Sequence, residues 1–167
     1  PEPTAPAGSP QELARDLFGD RLITYIEIPV IEVLAPVTAV GWQPDPLNPA
    51  AAVWDSPAAK VGWALTSALP GQDGNILLFG HNNIDSSVFQ NLYRLQPGDS
   101  IRLQTGRGDA VYRVDRVDLL PVLDEEAGRL AFLEYFKPTR APRLTVVSCW
   151  PPDNNTHRVV VIAYPER

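Results

Sequence analysis

Short apolar runs, some alternating with polar positions at a period of two and some continuous, recur along this chain from Leu22 onward. Leu22–Ile28, Ile31–Val40, Asn75–Phe79, Ser100–Thr105, Ala110–Leu120, Leu144–Cys149 and Arg158–Ala163 are rich in Val, Ile, Leu and Thr and bounded by Gly, Pro, Asn or Asp. Such runs are short β-strands separated by turns, and further short strands are expected at Val53 and Val61. Pro29 confines the first run to an edge or a break. The runs on either side of GRGD read as a hairpin, with Arg113, Asp115 and Asp118 on its solvated face. Gly41–Pro49, GWQPDPLNP, reads as a loop. Helical spacing appears in three places. Leu13, Ala14, Leu17 and Phe18 make a short amphipathic helix of Gln11–Phe18. Val88, Phe89, Leu92, Tyr93 and Leu95 make another over Ser86–Leu95, capped by Ser86 or Ser87. Asp124–Phe136 makes a third, less regular one. Trp54 and Trp63 are expected in core or rim packing. The predicted class is all-β.

Composition sets limits on this picture. A length of 167 residues suits one domain with a real core, and 44% hydrophobic with 20% charged residues is ordinary for a globular chain. Residues 1–10, PEPTAPAGSP, read as a Pro-rich linker or stalk, which leaves 11–167 as a single domain. The net charge of −6 argues against nucleic acid as a partner. A single cysteine excludes an internal disulfide and a CxxC metal or redox motif. No run has the length of a membrane span or the shape of a signal peptide. The chain opens on Pro rather than Met, which reads as a processed or excised fragment.

The chemistry concentrates at LTVVSCWPPDNNTHRVVVIA, residues 144–163. Cys149 ends one strand and Arg158 opens the next, across a turn-rich connection. A thiol facing a guanidinium is poor core material and good site material, because a permanent positive charge favours a thiolate or holds an oxyanion. By strand parity Cys149 shares a face with Thr145 and Val147, and Arg158 with Val160 and Ile162. His157 points the other way and is a doubtful partner. The remaining histidine, His81, follows a buried-type strand directly after Gly80, which makes it the candidate base.

TVVSC at 145–149, Arg158, and LLFGHNN at 77–83 resemble the sortase family, bacterial cell-surface cysteine transpeptidases, in which a Thr-Leu-x-Thr-Cys strand end precedes an Arg on the following strand. IPVIEVLAPV (28–37), SALPGQDGNILLFGHN (67–82) and VFQNLYRLQPGDSI (88–101) extend the resemblance to about 21–164. Val146 and Ser148 depart from the family's Leu and Thr. The resemblance implies a closed mixed β-barrel of about eight strands with a few short helices. It implies catalysis by Cys149, Arg158 and His81, with Thr145, Ser148 and Trp150 expected to contact substrate. The implied reaction cleaves a C-terminal sorting-type signal of a secreted protein through a Cys149 thioester and passes the acyl group to an amine. That amine belongs to peptidoglycan or to a pilin lysine. The implied location is the outer face of the bacterial membrane, with the anchor outside this chain. No organic cofactor is expected. Asp124, Glu125 and Glu126 can be read as calcium ligands, as in some sortases, but acidic residues at a helix N-terminus are the stronger reading. Two other classes stay open: a peptidase that hydrolyses the same thioester, and a non-catalytic barrel with Cys149 as a small buried hydrophobe.

Overall fold

The computed structural model describes residues 8–45, 48–54, 60–82, 87–122 and 125–167, with the backbone alone over 42–54. The strands are β1 (Ile23–Ile28), β2 (Val33–Val40), β3 (Trp42–Asp45), β4 (Asn48–Trp54), β5 (Val61–Ala64), β6 (Asn75–Phe79), β7 (Ser100–Thr105), β8 (Gly108–Pro121), β9 (Arg143–Trp150) and β10 (His157–Pro165). The helices are α1 (Pro10–Phe18) and α2 (Glu126–Glu134). Eight strands close into a barrel in the order β1-β2-β5-β6-β9-β10-β8-β7, with β7 pairing back to β1. The barrel is mixed: β2/β5 and β6/β9 are parallel and the other pairs antiparallel.

The period of two decides which side of each strand fills the barrel. Ile26, Val37, Trp63, Leu78, Leu103, Val114, Val146 and Val161, one from each barrel strand, belong to a single buried cluster. Burying a side chain of this size is worth about 1.5–3 kcal/mol, so this shared interior holds the closed sheet together. Trp63 is 2% exposed, and its indole nitrogen donates to the Ala68 carbonyl at 2.9 Å. Only the backbone of Trp54 is described.

Helix α1 starts where local chemistry allows it. Ser9 caps it by accepting from the Glu12 N–H, and Pro10 takes the first turn, where no N–H is needed. Gln11 Oε1 accepts from the Ala39 N–H of β2 at 2.6 Å, and Phe18 meets Trp63 edge-on at 5.8 Å. Of the expected apolar stripe, Ala14 is buried while Leu13 and Leu17 stay exposed.

Two expectations are corrected. The stretch 41–49 is not simply a loop, because β3 and β4 form a two-stranded antiparallel ribbon outside the barrel. A lone ribbon has two open edges, so Pro44 and Pro49 lose few partners there. The stretch 86–95 is not an α-helix. It is a turn followed by one short 3-10 turn, Leu92–Arg94. Ser87 has φ 49, and the Phe89 N–H donates to the His81 carbonyl at 2.8 Å, so the chain folds back onto the strand it has just left. Phe89, Leu92 and Leu95 are nonetheless buried, which is the signal the helical spacing carried. Ser86 and residues 1–7 of the expected linker lie outside the described residues.

Candidate active site

Strands β6, β9 and β10 are neighbours, and each delivers one candidate residue to the same end of the barrel. In the β9/β10 ladder Cys149 is paired directly with Arg158. Directly paired antiparallel residues hold their Cβ atoms about 5 Å apart on one face of the sheet. That face is the outer one. Val147, Val160 and Ile162, which share it, form a cluster separate from the barrel interior, roofed by Phe132, Tyr135 and Phe136 around the end of α2. Cys149 and Arg158 lie just beyond this outer cluster, both half-buried.

His81 reaches the same level by register. Strand β6 runs parallel to β9 with Asn75 paired to Arg143 and Phe79 to Val147. His81 follows Asn75 by six positions, and Cys149 follows Arg143 by six. The β6 ladder outlasts the strand by one residue: the Gly80 N–H donates to the Val147 carbonyl at 3.2 Å, and Ser148 Oγ donates to the Gly80 carbonyl at 2.8 Å. The backbone thus enters His81 beside Cys149. Gly80 is required by close approach. A Cβ there would lie 2.5 Å from the ring of Phe89 and 2.9 Å from Val88.

The guanidinium of Arg158 is held from one side. Its Nη1 donates to the carbonyls of Asn155 at 3.0 Å and His157 at 3.1 Å. Asn155 adopts a left-handed φ of 54, a conformation Asn tolerates, which brings its carbonyl back over the strand. Nε and Nη2 make no protein hydrogen bond among the described residues, so they remain donors for an anion. His157 faces the other way, as parity predicts. Its ring meets Trp150 edge-on at 5.6 Å, and its Nδ1 lies 2.8 Å from Thr156 Oγ1.

The three residues expected to touch substrate are placed differently. Thr145 is fully buried and donates from Oγ1 to Asn75 Oδ1 at 2.6 Å. Ser148 is 3% exposed, with its hydroxyl used on Gly80. Both hydroxyls are turned into the protein, because each sits between two paired strands. For these two, contact with a ligand gives way to holding β6 against β9. Trp150 is half-buried between Tyr93, at 6.1 Å, and His157.

Asn75 reads in the sequence only as the start of a strand, though it is the hub of the roof. Its Nδ2 donates to the carbonyls of Tyr135 and Lys137, and its Oδ1 accepts from Arg143 and Thr145. The available signal was the equal six-residue spacing from Asn75 to His81 and from Arg143 to Cys149, legible only once β6 and β9 are known to be parallel neighbours. Of the acidic triple, Asp124 lies outside the described residues. Glu125 and Glu126 are exposed, with Glu126 in the first turn of α2. Among the described residues no three or more His, Cys, Asp or Glu side chains gather as metal ligands.

Comparison with known proteins bears on the family and the fold. A family model described as Sortase domain matches residues 26–166. A comparison with curated proteins finds no match. Sortase A from Corynebacterium diphtheriae, in a lid mutant, is similar at 22% identity and a TM-score of 0.66, over 95% of this chain and 77% of that one. A pilus-related sortase C of Group B Streptococcus gives 22% and 0.65, over 92% and 72%. Sortase C-1 from Actinomyces oris gives 19% and 0.68, over 94% and 80%.

Proposed function

The chain belongs to the sortase family of cysteine transpeptidases, and from that premise we propose that Cys149 is its nucleophile, Arg158 its oxyanion donor and His81 its proton carrier. The observation that carries this reading is the pairing of Cys149 with Arg158 in the β9/β10 ladder, with β6, the strand that leads into His81, running parallel along the other side of β9. The Cys149 thiolate attacks the carbonyl carbon of a peptide bond, and the carbonyl oxygen takes up negative charge facing Arg158 Nε and Nη2. As the tetrahedral centre collapses, the carbon–nitrogen bond breaks and the His81 imidazolium gives its proton to the departing amine. The acyl group is left as a thioester on Cys149. An incoming amine then attacks that carbon, the carbon–sulfur bond breaks, and His81 takes the surplus proton from nitrogen. Thiolate and imidazolium are both restored, and no organic cofactor is consumed.

Sortases act at the cell surface. For this chain we read the substrate as a secreted protein with a C-terminal sorting signal, and the acceptor as a peptidoglycan amine or a pilin lysine. Among the described residues no helix is long and apolar enough to cross a membrane.

The test is a sorting-type peptide library incubated with the protein, read by intact-protein mass spectrometry. Without amine, an acyl adduct is expected to accumulate on Cys149. Hydroxylamine should then speed peptide cleavage and give the hydroxamate as main product. Equal cleavage rates with and without nucleophile, free carboxylate as sole product and no trapped adduct would mark a hydrolase instead.

A further inference from the structure

We propose that Asn75 is a positioning residue for the peptide-binding wall of this enzyme, acting through the segment that leaves α2; this rests on the transpeptidase reading above. Asn75 opens β6, six residues before His81, and is 4% exposed. All its side-chain hydrogen-bonding capacity goes to two destinations. Its Nδ2 holds the Tyr135 carbonyl at 2.8 Å and the Lys137 carbonyl at 3.2 Å. Its Oδ1 receives Thr145 Oγ1 at 2.6 Å and Arg143 Nε at 3.3 Å, both from the strand that carries Cys149. Arg143 closes the ring by donating from Nη2 to the same Tyr135 carbonyl at 2.9 Å. One buried amide therefore ties the exit of α2 to the β6 and β9 floor at once.

What it holds in place is the wall. The Phe136 ring stacks on Phe79 at 5.7 Å, and Phe132 meets Phe136 edge-on at 4.7 Å. Phe79 precedes His81 by two residues and Val147 precedes Cys149 by two, both on the outer face, so this aromatic cluster borders the nucleophile. Phe136 also lines a groove of about 580 Å3, together with Asn75 and Leu77 of β6 and with Ser67, Gln72 and Thr139. A second fastening comes from Tyr135, whose hydroxyl donates to Asp118 Oδ2 at 2.6 Å on β8. Helix α2 itself is located by Gly128, its only buried residue, and by Phe132 on the outer apolar cluster, while Leu130 and Leu133 remain exposed. The polar ring at Asn75 adds to this packing a directional hold on the backbone that leaves α2, and so sets where the wall stands relative to Cys149.

The prediction separates positioning from chemistry. With the peptide the wild type cleaves fastest from the library, Asn75→Ala should raise KM about tenfold while kcat stays within about twofold. The rate at which a small methanethiosulfonate reagent modifies Cys149 should not change. Thr145→Val should lie between, and Thr145→Ser, which keeps the hydroxyl, should match the wild type. Amide hydrogen exchange over 132–137 should quicken in Asn75→Ala relative to the barrel strands. Should Asn75→Ala fail to fold, Thr145→Val against Thr145→Ser carries the same comparison. An unchanged KM with unchanged exchange in a folded variant overturns the proposal. A wild type that processes no library peptide overturns the transpeptidase reading instead, and the exchange measurement still decides the role of Asn75.

Discussion

At the scale of single residues, the two histidines separate the site from its surroundings. His81 follows Gly80 at the level of Cys149, whereas His157 is paired with Trp150 and turned away from the Cys149–Arg158 pair. His81→Ala should therefore abolish transpeptidation and His157→Ala should retain most of it, in parallel assays with one peptide and one amine. Retention in the first with loss in the second would reverse the assignment. Arg158 offers a sharper test, because its Nη1 is committed to the Asn155 and His157 carbonyls while its remaining nitrogens make no hydrogen bond among the described residues. A lysine keeps the charge but cannot hold two carbonyls and an oxyanion with one rigid fork. Arg158→Lys should lower kcat by about 10²–10³, the usual cost of a lost oxyanion donor. Near-wild-type kcat would show that only long-range charge matters. The residue types and their spacing were readable from the chain. The burial of Thr145 and Ser148 was not, since a hydroxyl beside a nucleophile has the same sequence whether it faces a ligand or the next strand.

At the scale of elements, the turn after β6 decides whether His81 is held. Gly80 faces the barrel interior, where Phe89 is 1% exposed and fills the space a side chain would need. Phe89 also donates its N–H to the His81 carbonyl, so displacing it disturbs both packing and site. Gly80→Ala overpacks this point, which costs about 1–3 kcal/mol and should lower Tm by roughly 2–12 °C. Activity should fall with it, and a variant with wild-type Tm would show that Phe89 has room to move. The same contact explains why 86–95 looked helical. Val88, Phe89, Leu92 and Leu95 recur at helical spacing because they fold over one end of the barrel, and a short turn presents them as well as a helix would. Local pattern recorded which residues are buried but not the backbone that buries them.

At the scale of the whole molecule, the closed barrel makes its interior a single low-dielectric compartment, and Tyr112 reports on it. This tyrosine is 2% exposed, and burial pushes its pKa from the model-peptide value of 10.0 up to about 12. The folded value is the higher one, so the stability gained by keeping the phenol neutral is present below pH 10.0 and lost as pH rises towards 12. The loss amounts to about 3 kcal/mol. Denaturant unfolding below pH 10.0 and again near 12 should show a smaller drop in Tyr112→Phe than in the wild type; equal drops would mean the phenol reaches water. Beyond this, the chain by itself determined the strands, the two helices, the resemblance to sortases and the pairing of Cys149 with Arg158, because each depends on local periodicity or on residues separated by one turn. Tertiary structure decided the β3/β4 ribbon, the burial of Thr145 and Ser148, and the Asn75 hub. Those depend on which strands become neighbours and in what register, and Asn75 meets Thr145 and Tyr135 only because closing the barrel sets β6 parallel to β9 beneath the end of α2.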